Sequence, residues 1–473
     1  MYIYAYYYAL LYIARFNLTT LWGGRFTQSA HSDLWNFTVS HEDRRLLSFD
    51  IQASMAHVKM LAHCHIIPES ECDEILKGLG TLLEESETNR FVFLDTDEDI
   101  HSAVERRLKE IIGDVAGKLH TGRSRNDQIL VDLKLYLLQS ARNRTRQLRE
   151  LIKTFVAQAD KTKNLIAPVY THLQQAQAVS FAHHLLAYAW MFKRDLDRFN
   201  SLIERLDISP LGACAGGGTS LGIDPKHSAN MLGFKNVFRN SIDTVASRDF
   251  VSEYAFCVSQ SMIHLSRLGE EIILWSTKEF NWITLPDELT TGSSMLPQKK
   301  NPDMAELLRG KCSGAIGDLV AILSLQKNLP LAYNRDLQED KTYLFRSDDT
   351  LEASLKASHA LIASAKFHPK EPDPMILAID LAERLVKKGV PFRSAHQMVG
   401  QLVLSLEKTD KSFSDVASTD LESQTDNLTF DDLRNLNLET SLRERQSYGG
   451  GSIASVERQI GQLLIFLEEG QGA

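Results

Sequence analysis

Residues 241–280 read SIDTVASRDFVSEYAFCVSQSMIHLSRLGEEIILWSTKEF. Apolar side chains recur at every third or fourth position of this stretch, namely at Val251, Tyr254, Val258, Met262, Leu265, Leu268 and Ile272. That spacing is typical of an α-helix with one buried face. Because no proline occurs between Pro225 and Pro286, nothing in the stretch breaks a helix. The sequence therefore predicts a helix that runs the whole height of a helical bundle.

The helical pattern extends in both directions, almost throughout the chain from about Phe49. No proline occurs between Pro68 and Pro168, which favours long helices there. A second apolar stripe at helical spacing consists of Ile100, Val104, Leu108 and Ile111. Residues 96–99, TDED, stand just before this stripe and resemble a helix N-cap with a negatively charged first turn. Strand signals are weak, since the chain has no alternating runs bounded by turns. We therefore predict a mainly α-helical fold.

Composition narrows the function classes. The 473 residues suffice for two or three domains, and 43% hydrophobic with 24% charged residues is ordinary for a soluble globular protein. A net charge of -9 argues against nucleic acid as the main partner. Five scattered cysteines, an odd number, indicate free thiols in a reducing compartment, so we expect a cytoplasmic protein.

The first 14 residues are apolar and rich in tyrosine. They are fewer than the roughly 17–25 residues that a spanning helix needs. They also lack the basic start and small-residue cleavage site of a secretory signal. We expect a disordered extension or a misplaced start codon, with a membrane or organelle anchor as the alternative.

The most conspicuous polar run is TTGSSMLPQKKNP at residues 290–302. Its glycine and two prolines disfavour a helix, although helical sequence flanks it on both sides. A polar loop between long helices costs ordering entropy and buries little, so it more often serves function than packing. Two serines close to Lys299 suggest a hydroxyl whose anion is stabilised by a positive charge.

Four further polar segments are ambiguous when each is taken alone. They are DEDIH at 97–101, LHTGRSRND at 119–127, VYTHLQQAQ at 169–177 and YNRDLQEDK at 333–341. The first is also typical of a helix cap, and the fourth of a charged helix start. The arginines of the second suit carboxylate or phosphate capture, or an ordinary basic turn. The lone histidine of the third is more often structural than catalytic.

Two segments look like binding motifs and are rejected. His63-Cys64-His65, with His57 and Cys72 nearby, matches no zinc spacing, and adjacent helical residues point apart. We therefore predict no metal site. The glycines at 216–218 are followed by no Gly-Lys-Ser/Thr, so they indicate a tight turn and not a phosphate loop.

Taken in order, these segments resemble the fumarase/aspartase superfamily, and within it the argininosuccinate lyases and the delta-crystallins of the eye lens. The superfamily signature is a Gly-Ser-Ser-x-Met-Pro-x-Lys-x-Asn loop. The resemblance runs from LWGGRF at 21–26 to YGGG at 448–451. It implies a mainly α, three-domain fold with a central bundle of long helices shared in a homotetramer. It also implies active sites built from three subunits.

The implied reaction is the β-elimination of argininosuccinate to arginine and fumarate, a step of arginine biosynthesis, with no metal or organic cofactor. Argininosuccinate is the implied partner, and neither nucleic acid nor a membrane is expected. The implied division comprises an extension at 1–20, an N-terminal helical domain at 21–124, a central bundle domain at 125–373 and a C-terminal helical domain at 374–473. The catalytic loop lies near 290–302.

Motif positions carry the family's site residues over to this chain. Removing a proton next to a carboxylate creates an aci-carboxylate dianion, which needs prearranged cations and donors. The residues that match the family's catalytic groups are Ser293, His172, Glu306 (which orients the histidine), Lys299 and Asn301 (which stabilise the dianion). Which of the serine and the histidine is the base stays open. The matches to substrate-binding positions are Ser40, Asn126 and Thr171 for the succinate and amino-acid parts, Tyr333, Gln338 and Lys341 for the arginine end, and Asp99, His101, Arg125 and Arg248 in or near the site.

The chain departs from the family pattern at several positions. Met295 and Leu296 exchange the usual order, which should be mild because the volumes are close. Val104 replaces an asparagine, and Gln175 and Ala178 replace an arginine and a proline. Two alternatives to an argininosuccinate-cleaving enzyme stay open, and the departures at Val104 and Gln175 motivate the second of them. One is a related lyase on another N-substituted succinate, and the other is a catalytically silent, crystallin-like structural protein.

Overall fold

The computed structural model describes residues 31–416 and 430–469, and these residues fold mainly as α-helices. The prediction of a mainly helical fold is therefore confirmed. The predicted N-terminal extension and the LWGGRF motif lie outside the described residues.

Within the described ranges the α-helices are α1 (Ser32–Thr38), α2 (Leu47–His63), α3 (Glu69–Glu87), α4 (Ile100–Ile112), α5 (Arg125–Thr162), α6 (Phe181–Leu206), α7 (Pro225–Met231), α8 (Ser241–Ala246), α9 (Asp249–Ser276), α10 (Asp303–Gln326), α11 (Asp340–Ser364), α12 (Ala378–Lys387), α13 (Phe392–Thr409), α14 (Phe430–Arg434), α15 (Leu438–Glu444) and α16 (Ile453–Glu469). Short 3₁₀ turns span Glu42–Leu46, Gly113–Lys118, Asp287–Leu289, Arg335–Glu339, Pro374–Leu377 and Phe413–Asp415. The longest helix, α5, has 38 residues and is about 57 Å long at 1.5 Å per residue.

The strands are short and pair two by two. They are β1 (Ile166–Thr171), β2 (Gln174–Ser180), β3 (Ile208–Ser209), β4 (Asn236–Val237), β5 (Ile283–Thr284), β6 (Thr291–Gly292), β7 (Lys300–Asn301) and β8 (Lys366–Phe367). β3 and β4 are parallel, whereas β1–β2, β5–β8 and β6–β7 are antiparallel. Two of these pairs, β1–β2 and β6–β7, carry residues that the sequence assigns to catalysis.

The stretch at 241–280 contains the predicted long helix, which begins two residues before the apolar stripe and not at the start of the stretch. α9 covers Asp249–Ser276, and the short α8 precedes it. All seven apolar residues of the predicted stripe are fully buried. The break between the two helices occurs at Ser247, whose backbone is extended.

The predicted N-cap of α4 is present, and so is its apolar stripe except at one residue. Asp99 is the N-cap, and its side chain accepts a hydrogen bond of 2.8 Å from the backbone N–H of Ser102. Ser102 Oγ accepts in return from the Asp99 N–H at 3.0 Å, which completes a capping box. Ile111 is 38% exposed, so its predicted burial is wrong. The buried stripe continues instead through Ile112, because it advances four residues per step.

The chain divides into two compact units. The first comprises residues 31–143, 199–256 and 317–348 of the described chain, and the second comprises 144–198, 257–316, 349–416 and 430–469. The apolar core of the first unit includes side chains of α2, α3 and α4. α3 approaches α4 closely at Gly78, where a Cβ would lie 2.5 Å from Leu108 Cδ1. The second unit contains a core between α12 and α13. The division into three domains stays a prediction.

No described helix is both long enough and apolar enough to cross a membrane.

Candidate active site

The first unit contains a polar cleft of about 170 Å³. Its lining consists of Ser40, Asp43, Glu98, Asp99, His101, Arg125, Asn126, Ile129, Tyr333, Arg335, Gln338 and Lys341. Eight of the ten residues that the sequence assigns to substrate binding are in this lining. The remaining two, Thr171 and Arg248, are not. The fold therefore brings together the polar segments at 97–101 and 119–127 with the segment at 333–341, which lies more than two hundred residues further along the chain.

Helix starts provide much of the cleft wall. Asp99 and His101 stand at the N-terminus of α4, and Arg125 and Asn126 open α5. The N-terminus of a helix carries partial positive charge and backbone N–H groups that lack partners within the helix. Lys341 lies in the first turn of α11. These placements favour an anionic ligand at this wall.

The cleft also contains carboxylates. Arg125 Nη1 lies 3.0 Å from Glu98 Oε2 and 2.9 Å from Asp99 Oδ2. Asp43 is buried, and its Oδ2 accepts a hydrogen bond of 3.0 Å from the Ile100 N–H. Burial raises the pKa of the Asp43 carboxyl above its ordinary value. Motif matching missed Glu98 and Asp43 as cleft residues, although Glu98 lies inside the DEDIH segment.

The segment at 333–341 forms another wall of the cleft. Arg335 Nη2 and Gln338 Nε2 both donate to the backbone oxygen of Thr38, at 2.9 and 3.0 Å. These bonds attach the segment to the end of α1, next to Ser40. Burial raises the pKa of Tyr333, so its phenol stays protonated at neutral pH.

Arg248 is buried and does not line the cleft, and its guanidinium bonds to Asp340, the residue before Lys341. Its Nε donates to Asp340 Oδ2 at 2.6 Å, and Lys341 Nζ donates to Asp340 Oδ1 at 3.0 Å. Burial opposes the charged Asp340, but the two cations outweigh burial and lower the pKa of this carboxyl. Arg248 thus fixes the carboxylate that orients Lys341, and a direct contact between Arg248 and substrate stays a prediction.

The residues assigned to catalysis lie in the second unit. The polar run at 290–302 is a loop closed by β6 and β7, in which Thr291 pairs with Asn301 and Gly292 with Lys300. Ser293 Oγ accepts hydrogen bonds from the backbone N–H groups of Met295 and Leu296, at 3.2 and 3.0 Å. Hydrogen bonds donated to an oxygen favour its anionic form. The geometry of the loop therefore favours the anionic form of this hydroxyl over that of an isolated serine.

The two lysines of the loop have different surroundings. Lys300 Nζ donates to Leu285 O and to Asp287 Oδ1, both at 2.7 Å. Lys299 is exposed, and within the described ranges its side chain makes no hydrogen bond or ion pair. Lys300 consequently anchors the loop, whereas the charge of Lys299 is available to a ligand.

His172 occupies the turn of the hairpin formed by β1 and β2. Thr171 pairs with Gln174, so His172 and Leu173 form a two-residue turn. Both have positive φ, 53° and 58°, as in the hairpin turns that normally favour asparagine and glycine. The turn exposes the imidazole. Among the described residues no hydrogen bond joins His172 to Ser293 or to Glu306, which lies in the first turn of α10, so the orienting role of Glu306 stays a prediction.

Comparisons with known proteins identify the family. A lyase family model matches residues 24–317, and a model of the argininosuccinate lyase C-terminal region matches residues 375–443. The argininosuccinate lyase of Maridesulfovibrio salexigens is 43% identical over 95% of this chain and 99% of its own length. The argininosuccinate lyase of Carboxydothermus hydrogenoformans is 44% identical over 93% of this chain and 98% of its own length. The chain belongs to the argininosuccinate lyase family.

Solved structures confirm the expected superfamily fold for this argininosuccinate lyase family member. A variant of EDDS lyase with bound fumarate has a TM-score of 0.80 at 27% identity, covering 92% of this chain and 88% of that chain. A class II fumarase from Schistosoma mansoni has a TM-score of 0.72 at 16% identity, covering 84% and 91%, and shows likeness of fold alone.

The structure accounts for most departures from the family pattern. Val104 is 1% exposed and belongs to the apolar core of the first unit. Gln175 Oε1 accepts a hydrogen bond of 2.8 Å from the Asp373 N–H. Met295 and Leu296 are both exposed, so their exchanged order changes little packing. Nothing in the structure explains Ala178.

Proposed function

We propose that this carbon–nitrogen lyase splits argininosuccinate into L-arginine and fumarate, a step of arginine biosynthesis, without an organic cofactor. The observation that carries the proposal is the cleft of the first unit. It combines cationic groups and helix N-termini with carboxylates in one small space. Argininosuccinate requires that combination, because it carries both carboxylates and a guanidinium group.

The two kinds of charge suit the two ends of the substrate. Arg125 and His101 supply positive groups that match the carboxylates of the succinate part, and Lys341 suits the α-carboxylate at the arginine end. Glu98 and Asp43 supply acceptors that match a guanidinium. Asn126 and Tyr333 add neutral hydrogen-bonding groups in the same lining.

The Ser293 loop supports a role in proton transfer. The two backbone N–H groups that point at Ser293 Oγ stabilise its alkoxide, which makes this serine a competent base. In the proposed reaction Ser293 removes the proton next to the carboxylate, and Lys299 and Asn301 stabilise the dianion. His172 then donates the proton that the departing guanidine nitrogen requires.

We further propose the family's homotetramer. α10 exposes a row of large apolar side chains, namely Leu307, Ile316, Val320 and Leu323. The exposed face of the same helix also includes Gly310, Gly314 and Gly317, where an added Cβ would meet no atom within 4 Å. A monomer rarely exposes so much apolar surface on one helix. In the proposed tetramer, the α10 helices of other copies pack against this face in a bundle and cover it.

The test is to add argininosuccinate to the purified chain and to follow fumarate by its ultraviolet absorbance. We expect steady release by the wild type. Ser293→Ala should lower kcat by about 10³-fold, the order of a general base. The matched control is Ser294→Ala, which removes the adjacent exposed hydroxyl and should keep kcat within about threefold of wild type.

Absence of fumarate from the folded wild type would refute the proposed function. A chain that released fumarate only from another N-substituted succinate would be a different lyase. Equal losses in Ser293→Ala and Ser294→Ala would refute the assignment of the base.

A further inference from the structure

Directly behind the cleft wall, three titratable side chains from three helices meet. Asp50 of α2, His101 of α4 and Asp132 of α5 are all buried, and their polar atoms lie within 4.8 Å of one another. His101 lines the cleft, whereas the two carboxyl groups do not. None of the motifs that the family resemblance supplied includes Asp50 or Asp132.

The hydrogen bonds of the cluster go to a single carboxylate oxygen. Asp50 Oδ1 lies 2.8 Å from His101 Nδ1 and accepts a bond of 2.6 Å from Gln128 Nε2. Asp50 Oδ2 and both oxygens of Asp132 are buried and find no donor among the described residues. A charged carboxylate without any donor is costly to bury. The missing donor is supplied if Asp132 itself is protonated and its O–H faces Asp50.

We propose that Asp50 is a positioning residue that holds His101 as an imidazolium in the cleft wall, while Asp132 remains a neutral carboxylic acid. The inference rests on the proposed function, because the imidazolium serves the substrate's carboxylates. Since Nδ1 of His101 is engaged by Asp50, its Nε2 is the ring atom available to the cleft. Together with Arg125 and Lys341, it makes this wall cationic.

The charges around the cluster agree with this arrangement. Burial opposes an imidazolium, but the carboxylates of Asp50, Asp99 and Asp43 outweigh burial and raise the pKa of His101. Burial also opposes a charged Asp50, yet His101, Arg123 and Gln128 lower the pKa of that carboxyl. Burial and the charge of Asp50 raise the pKa of Asp132 well above its ordinary value. His120 also faces this group, and burial lowers its pKa to about 4, so it contributes no charge at neutral pH.

A metal ion is the competing occupant, because two carboxylates and one imidazole are a common ligand set. Two observations favour protons. The Oδ1 atom of Asp50 already accepts from two donors, and metal binding would displace at least one of them. The positive charge of the buried Arg123 acts on both Asp50 and Asp132, which opposes a second cation.

The test compares Asp50→Asn with Asp132→Asn, two isosteric changes of buried carboxyl groups in one cluster. Asp50→Asn should raise the KM for argininosuccinate by about tenfold to a hundredfold, since it removes a charge-assisted contact in binding. Its kcat should change by less than about threefold, because no proton of the reaction is moved. Asp132→Asn should leave both constants within about twofold, since asparagine copies a neutral carboxylic acid.

The pH dependence gives a readout that a purely structural defect would not move. As pH rises, wild-type KM should increase only when His101 loses its proton, above the ordinary histidine value of about 6.5. That increase should begin at lower pH in Asp50→Asn and at unchanged pH in Asp132→Asn. Neutron diffraction of the wild type at neutral pH should show hydrogen on both ring nitrogens of His101 and on Asp132.

The neutron measurement needs no activity, so it separates this inference from the proposed function. A neutral His101 or an ionised Asp132 would overturn the inference even if fumarate is released. Equal effects of the two asparagine variants on KM would overturn it as well. So would stoichiometric zinc retained by the wild type and lost from both variants.

Discussion

At the scale of single residues, burial decides which side chains titrate. His57 of α2 is almost fully buried, and its Nε2 lies 2.9 Å from the backbone oxygen of Thr121. Burial, followed by the charge of Arg123, lowers the pKa of His57 to about 3 from an ordinary value of 6.5. The folded protein thus contains a neutral imidazole at pH values where the unfolded chain binds a proton.

The sign of the resulting pH effect follows from proton linkage. Between about pH 6.5 and pH 3 the unfolded state binds the extra proton, so His57 makes the folded state less stable as pH falls, by about 1.4 kcal/mol per pH unit. His57→Gln keeps a donor for Thr121 and removes the titration. We expect the melting temperature of this variant to fall less steeply than that of the wild type between pH 6.5 and pH 4. Parallel curves in thermal scans would contradict this account.

At the scale of secondary structure, the hairpin of β1 and β2 depends on a close contact with the C-terminal segment. Gly451 O accepts a hydrogen bond of 2.9 Å from the Ser180 N–H at the end of β2. A Cβ on Gly451 would lie 2.7 Å from Val179 Cβ and closer still to Val179 Cγ1. The glycine in the YGGG motif therefore has a packing reason, because only a hydrogen atom fits against β2.

We expect Gly451→Ala to destabilise the second unit by about 1–3 kcal/mol through overpacking against Val179. The same shift should displace the turn that carries His172 and lower kcat. Val179→Gly removes both close carbons and leaves only Val179 Cα, at 3.4 Å, so the double variant should recover part of the stability and activity lost in Gly451→Ala. Thermal scans and fumarate release measure both effects. Additive losses in the double variant would rule out this contact as the cause.

The same hairpin shows where sequence patterns fail. In α9 a regular apolar stripe predicts the helix, since burial on one face imposes the helical period. In β2 the residues before Ala178 are mostly glutamines, and Pro168 interrupts β1, so no alternation of polar and apolar residues marks the strands. The turn at His172 and Leu173 also lacks the asparagine or glycine that usually signals one. The family motif indicated which histidine to consider, and the structure shows the hairpin turn that carries it.

The cleft shows a second limit of prediction from sequence patterns. Taken alone, the DEDIH and YNRDLQEDK segments predict only polar surfaces; the family resemblance assigned both to the substrate site, and the fold shows that they line one cleft. Asp50 carried a usable signal, because it stands among the apolar residues of a helical stripe in LSFDIQASMAH. An acidic residue on a buried helix face requires a partner. Pairing it with His101 needed the geometry, since fifty residues separate them.

At the scale of the whole molecule, the proposed assembly accounts for how the catalytic residues and the cleft form complete sites. The cleft belongs to the first unit, whereas Ser293, His172 and Lys299 belong to the second. In the proposed homotetramer, groups of different subunits complete each site. In that proposal, the exposed apolar face of α10 is the surface on which the subunits associate.

If residues of different subunits complete each site, two inactive variants should restore activity when their subunits are mixed. His172→Asn and Ser293→Ala should each form inactive tetramers. After the two variants are mixed, partly unfolded and reassembled, some sites should receive an intact histidine from one subunit and an intact serine from another. Random exchange should restore about a quarter of wild-type activity, because both intact residues must meet at one site. Fumarate release measures the recovery, and mass spectrometry verifies that mixed tetramers formed. Mixed tetramers that remain inactive would show that both residues of a site come from the same chain.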